Sequence, residues 1–219
     1  YILKSLGGGQ INEQARNIWF DYLNKFNFGK KTNIELAGEQ PGYIMKPNDP
    51  NGAMVTYATM SFGQGMAVTP LQLAASYVPI ANGGTYYQPQ IIESQTKNGQ
   101  TVNKEPKIIS ENLIRKDVSE SVKSMLQSSL EINNKSALRA GYVLGAKSGT
   151  AEFVDSGGEY EKGIYNGTYV GFISGKKDNY VLLVRLDKPK TSGYASTQAA
   201  VTWAQISNEM LNSIAIEPL

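Results

Sequence analysis

Past its midpoint the chain changes hydrophobic period from helical to strand-like, and that change restricts its fold more than any other feature. In the first part, Ile11, Ala15, Ile18, Trp19, Tyr22 and Phe26 recur at helical spacing, with Asn12 placed to cap and Gly29 just past the end. This spacing predicts a helix over 13–27. Thr69-Pro70-Leu71-Gln72 has the form of a capping box with Pro in the first turn, so a second helix opens there and should stop at Asn82-Gly83-Gly84. Its body is apolar nearly all round and is therefore buried, and Pro79 should kink it or end it early. Val118, Val122, Met125, Leu126 and Leu130 predict a third helix over 117–131, with these five residues on one face.

The pattern then shortens. Tyr142-Val-Leu-Gly-Ala146, Thr168-Tyr-Val-Gly-Phe-Ile-Ser174 and Tyr180-Val-Leu-Leu-Val-Arg-Leu186 read as strands, the last two joined by the hairpin-length Gly175–Asn179 connection. Asp155–Gly167 is polar and Gly-rich, which reads as a mobile loop. Ala199, Trp203, Ile206, Met210 and Ile214 define a closing helix over 195–213 whose apolar face covers a sheet. Upstream, Tyr86–Glu93, then Asn98-Gly99 and Thr101-Val102, read as a small hairpin with a tight turn.

Composition removes whole classes of chemistry. The 219 residues include no His and no Cys, so they cannot supply a Ser-His-Asp triad, a Cys-His pair or the ligands zinc favours. Proton transfer must fall to Lys, Tyr or a carboxylate. A net charge of +2, with the lysines scattered through polar turns, gives no basic stripe for nucleic acid. With 41% hydrophobic residues the chain can bury a sizeable core. No apolar run approaches the ~20 residues needed to span a bilayer.

Within that frame, Lys147-Ser148-Gly149-Thr150 is the strongest chemical motif. On a strand, alternation sends Lys147 and Gly149 to one face and Ser148 and Thr150 to the other, with backbone groups along the edge. A substrate against that edge meets a cation, two hydroxyls and an amide, while Gly149 presents no Cβ in its way. Glu152 is close enough to tune such a site, although its position fits a solvated strand end. The Tyr160–Tyr169 stretch either borders a cleft or packs, Trp19 and Trp203 fit a core, and Gly7-Gly8-Gly9 lacks the Lys-Ser/Thr of a phosphate loop.

The company of this tetrapeptide carries a resemblance. Ser61-Phe-Gly-Gln-Gly65, continuing through Thr69-Pro-Leu-Gln72 to Asn82-Gly-Gly84, closely resembles the segment preceding the third catalytic motif of penicillin-binding protein transpeptidase domains. The Ser61–Gly65 form, together with Gly38-Glu-Gln-Pro-Gly42 and Tyr169-Val-Gly-Phe172, is more similar to the monofunctional class B enzymes than to the bifunctional class A ones. The resemblance covers nearly the whole chain and implies an α+β fold, an antiparallel sheet flanked by helices, with the last three strands and closing helix supplied here. Residues 1–219 are then expected to be the C-terminal portion of one transpeptidase domain. In it, 1–140 is mainly helical with a small hairpin, and 141–219 holds three strands plus the closing helix.

The family pairs a Ser-x-x-Lys nucleophile and Ser-x-Asn with Lys-Thr/Ser-Gly. Three local matches are rejected as decoys: Ser94–Lys97, in a polar stretch before a turn; Ser110–Asn112, too close to the first to face it across a cleft; and Ser174–Lys177, at a strand end. No nucleophile is therefore assigned in this chain, and the first two motifs are expected on a part of the domain preceding Tyr1. By resemblance, Lys147 joins the electrostatic and proton network, Ser148, Gly149 and Thr150 bind substrate, and the Thr150 amide completes the oxyanion hole. The implied reaction is peptidoglycan D,D-transpeptidation through a serine acyl-enzyme, with β-lactams as substrate mimics and no metal or organic cofactor.

The implied partners are stem peptides ending in D-Ala-D-Ala, the rest of the domain, and division or elongation proteins. The implied place is the outer face of the bacterial membrane, reached by an N-terminal anchor. Two alternatives remain open on the sequence: a non-catalytic scaffold of the same fold, and a β-lactamase or D,D-carboxypeptidase relative. Alone, the chain is expected to form no acyl-enzyme.

Overall fold

The computed structural model describes residues 1–50, 52–154, 160–190, 194–214 and 216–219, and omits the side chains of 153, 154, 160–163, 195 and 196. Two compact units divide the chain: Tyr1–Ser76 with Thr85–Leu113, and Tyr77–Gly84 with Ile114–Leu219.

The first unit holds α1 (Ile2–Leu6), α2 (Glu13–Lys25), α3 (Ala53–Met60) and the start of α4 (Pro70–Asn82), with four short strands. Asn12 caps α2 as expected, its side-chain oxygen accepting from the Ala15 N–H at 2.9 Å. The helix stops two residues before Asn27, which takes a left-handed φ of 63°. Leu3, Ala15, Leu23, Ala53, Tyr57 and Met60 form the buried cluster, with Trp19 and Phe20 packed against it. Burial pushes the Tyr57 hydroxyl up to about 12 despite the opposing charge of Arg16, and that hydroxyl donates to the Met45 carbonyl at 2.7 Å. Helix α3 lay outside the sequence expectations because Met54 and Val55, both exposed, obscure the buried Ala53, Tyr57, Met60 spacing.

The capping box forms. The Thr69 N–H donates to Gln72 Oε1 at 2.9 Å, and the Gln72 N–H donates to Thr69 Oγ1 at 3.1 Å. Gln72 is fully buried, and its Nε2 reaches the Lys30 and Pro41 carbonyls at 2.7 and 2.8 Å. One amide thus caps α4 and fastens the Gly38–Gly42 turn to it. Beyond α4, the expected hairpin is two nested pairs. Asn98-Gly99 turns β2 (Ser94–Lys97) onto β3 (Gln100–Asn103), with φ of 53° and 75°, as a left-handed two-residue turn requires. Tyr86 belongs to β1 (Tyr86–Tyr87), which pairs instead with β4 (Ile108–Ser110).

The second unit contains α5 (Lys116–Asn133), β5 (Val143–Val154), β6 (Tyr160–Ser174), β7 (Asn179–Asp187) and α6 (Ala195–Ser213). The strands form an antiparallel sheet in the order β5-β6-β7. Leu144, Ala146, Tyr169, Ile173 and Val184 share one face and pack with Ala199, Trp203 and Leu211 of α6. Phe172 lies on the other, with Leu126 of α5 and Ala81 at the end of α4. Helices on both faces of an antiparallel sheet are the expected α+β architecture.

Three expectations about detail fail for local reasons, and a fourth holds in part. Helix α4 stops at Asn82 as expected, and it runs through Pro79 without ending early. Pro79 is fully buried, and α5 secures the turn around it: Ser119 Oγ donates to the Ile80 carbonyl at 2.7 Å and Lys123 Nζ to the Ala81 carbonyl at 3.2 Å. Val118 and Met125 are exposed while Ser119 is buried, because a hydroxyl with an acceptor fits the interface where an apolar count overlooked it. In α6, Ile206 and Ile214 are likewise exposed and Ser207 is buried, its hydroxyl donating to the Ala204 carbonyl. Residues 160–167, expected in a loop, continue β6 because β5 offers them a partner up to Val154; 155–159 lie outside the described residues.

Replacing Gln72 with Leu strands the Thr69 N–H and leaves the Lys30 and Pro41 carbonyls without this donor. The expected cost is about 3 kcal/mol in urea unfolding; an unchanged midpoint would contradict the role given to this amide.

Candidate active site

The tetrapeptide Lys147–Thr150 lies in the middle of β5, the outer strand of the sheet. Its register fixes its geometry: Lys147 opposes Val170, Ser148 opposes Tyr169, Gly149 opposes Thr168 and Thr150 opposes Gly167. Lys147, Ser148 and Thr150 are exposed, whereas Leu144 to Ala146 just before them are buried. The motif therefore begins where β5 leaves the core. As alternation requires, Lys147 shares its face with Gly145, and Ser148 with Ala146.

Backbone direction follows from two hydrogen bonds. Thr168 Oγ1, across on β6, donates to the Gly149 carbonyl at 3.5 Å, so that carbonyl points toward β6. Across a trans peptide the next N–H points the opposite way, which turns the Thr150 N–H toward the outer edge. Lys147 Nζ donates to the Ser148 carbonyl at 3.1 Å and to Ser148 Oγ at 3.3 Å. Carbonyl directions alternate along a strand, so this places the ammonium at the same outer edge. A cation, a hydroxyl and an outward peptide N–H meet there.

The floor behind the motif is tightly fitted. A Cβ on Gly145 would lie 2.6 and 2.7 Å from ring carbons of Phe172 and 2.9 Å from the Gln127 backbone nitrogen. Lys123 Nζ sits 5.3 Å from the centre of that Phe172 ring, and burial lowers its pKa, with Glu120 opposing. On the α6 side, Tyr169 meets Trp203 edge-on at 5.6 Å, and Trp203 Nε1 donates to the Leu182 carbonyl at 2.9 Å. Burial raises the Tyr169 pKa and a bond with Asn134 opposes the rise. Gly149 differs from its sequence reading in one respect: Thr168 Oγ1 lies 2.5 Å from where a Cβ would stand, so the missing side chain makes room for Thr168.

Other candidates fall elsewhere. Ser94 opens β2, Ser110 ends β4, and Ser174 donates to Asn179 Oδ1 at 2.5 Å in the β6–β7 turn; none of the three opens a helix. Glu152 is exposed opposite Tyr165, whose ring lies 5.8 Å from that of Tyr194. Trp19 and Trp203 pack in the cores of their units, as expected. Among the described residues no three His, Cys, Asp or Glu side chains gather to hold a metal ion. Thr168, Phe172 and Lys123 escaped the sequence reading because only the strand register brings them to the motif.

Comparison with known proteins places the chain as a whole in a family. The family model for the penicillin binding protein transpeptidase domain matches residues 12–208. The stage V sporulation protein D of Bacillus subtilis is 35% identical over 205 residues, 91% of this chain and 31% of that protein. The peptidoglycan D,D-transpeptidase FtsI of Escherichia coli is 28% identical over 206 residues, 90% of this chain and 32% of that protein. Penicillin binding protein 3 of Mycobacterium tuberculosis superposes with a TM-score of 0.79 at 25% identity, over 92% of this chain and 47% of that one. This chain belongs to the penicillin binding protein transpeptidase family, in its class B branch. It spans about a third of the length of these curated relatives.

Gly145→Ala forces the Phe172 ring or α5 to move. A loss of about 2 kcal/mol is expected in thermal or urea unfolding; a neutral substitution would show that the floor is looser than its distances imply.

Proposed function

We propose that this chain forms one wall of the acyl-transfer site of a peptidoglycan D,D-transpeptidase. The observation that carries the reading is the outer edge of β5, where the Lys147 ammonium, the Ser148 hydroxyl and the outward Thr150 N–H converge. The serine is supplied by a part of the domain outside these residues. It attacks the penultimate D-alanyl carbonyl of a stem peptide, the C–N bond breaks, and D-alanine leaves with a proton. An amine on a neighbouring strand then takes the acyl group and frees the serine.

Each local residue has a part. The Thr150 N–H stabilises the oxyanion of the tetrahedral intermediate. The Ser148 and Thr150 hydroxyls bind the terminal carboxylate, and Gly149 keeps the edge flat. Lys147 supplies positive potential for that carboxylate and a path for the proton. A β-lactam takes the place of the stem peptide, a reading supported by the ampicillin complex of the Mycobacterium tuberculosis protein. The reaction site lies outside the cytoplasmic membrane, with a membrane anchor beyond these residues. Among the described residues no helix is long and apolar enough to cross a membrane.

Fluorescent penicillin should label the full-length protein on a serine outside this chain, and the 219 residues alone should take no label. Lys147→Ala should slow labelling by about a hundredfold or more. A full-length protein that forms no covalent adduct would make the chain part of a non-catalytic scaffold instead.

A further inference from the structure

We propose that Thr168 is a positioning residue for the oxyanion-binding peptide, acting from the neighbouring strand; the inference rests on the acyl-transfer reading above. Two contacts of one oxygen atom, Thr168 Oγ1, carry it. This hydroxyl donates to the Gly149 carbonyl at 3.5 Å, the oxygen of the peptide unit whose N–H belongs to Thr150. The same oxygen atom occupies the space above Gly149, 2.5 Å from where a Cβ would be, so the glycine and the threonine form one fitted pair.

The physics follows from the rigidity of the peptide. A carbonyl and the N–H it is bonded to rotate together about the Cα–Cα axis, so holding one end fixes the other. Ladder hydrogen bonds to β6 restrain Gly149 from the inner side of β5. The Thr168 hydroxyl adds a restraint at the peptide whose tilt decides where the outward N–H points. Its bond is also polarising: a donor on the carbonyl strengthens the N–H of the same amide as a donor. Thr168 is half-buried and lies on the Gly149 face of the sheet, so it reaches the peptide without occupying the substrate edge.

The β-branched shape of Thr suits this task. It has few χ1 rotamers in a strand, and Val reproduces its shape without the donor. Thr168→Val therefore removes the bond while keeping the fit over Gly149, and Thr168→Ser keeps the bond.

The test measures acylation of the full-length protein by a fluorescent penicillin, separating the binding constant of the first complex from the rate constant of acylation. For Thr168→Val the rate constant should fall about three- to tenfold, the loss of one neutral hydrogen bond, with the binding constant and melting temperature unchanged. Thr168→Ser should restore the rate. An unchanged rate constant in Thr168→Val, or a loss that Ser does not restore, overturns the proposal. If the wild-type protein is not acylated at all, the acyl-transfer reading fails. Crystal structures of wild type and Thr168→Val then decide on Thr168 alone: a rotated Gly149–Thr150 peptide supports positioning, and an unmoved one refutes it.

Discussion

The pairing of β5 with β6 is the constraint on which the rest of the second unit depends. Because side chains alternate with a period of two, the register that sets Gly149 against Thr168 also sends Leu144 and Ala146 to the α6 face and Gly145 to the Phe172 face. A slip of one residue would turn Lys147 into the α6 core and drive Leu144 against Phe172 on the other face, where there is no room even for a Cβ at Gly145. Burial of Leu144, Ala146, Tyr169 and Ile173 against Trp203 therefore selects the register, and the register aims the motif. The energy that orders the site thus comes from residues outside the tetrapeptide itself.

That selection works because both faces are filled by rigid, well-fitted groups. Phe172 leaves no space for a side chain at Gly145, and the Tyr169–Trp203 contact is edge-on, with the indole N–H satisfied by Leu182. Ser119 and Lys123 secure the last carbonyls of α4 over the same face. Backbone groups near the end of a helix carry the negative end of its dipole, so the half-buried Lys123 ammonium is an appropriate partner there. Removing it would leave an acceptor without a donor in a place water does not readily replace.

Much of this was legible in the sequence, and the pattern of what was not has a physical origin. Local signals were read well: the Asn12 cap, the Thr69–Gln72 capping box, the Asn98-Gly99 turn and the strand bearing Lys147–Thr150 each depend on residues a few positions apart. Failures arose where a distant partner decides. Ser119 and Ser207 are buried because acceptors meet them, so counting apolar residues assigned their places to Met125, Ile206 and Ile214. Residues 160–167 look like a loop from their glycines and become strand because β5 is there to pair with. Helix α4 continues past Pro79 where α5 secures the turn it weakens. The Gly149–Thr168 fit is of the same kind, since no spacing within one chain segment reveals which residue stands across a sheet.

On the acyl-transfer reading proposed above, an outer strand that stays open to a ligand also has to avoid pairing with another chain, and the motif suits both requirements. An exposed edge of unsatisfied N–H and C=O groups is a template for any extended segment. Here the Lys147 ammonium lies on the Ser148 carbonyl, so a neutral strand pairing at that point has to displace a charged donor from its acceptor and desolvate it. A ligand that ends in a carboxylate meets the opposite situation. It brings a counter-charge to the ammonium and hydrogen-bond acceptors for the Ser148 and Thr150 hydroxyls, and so recovers in charge-assisted bonds what it displaces. On that reading, the same lysine that guards the edge against neutral strands favours an anionic chain end, and selectivity at β5 would follow from the sign of one charge held over one carbonyl.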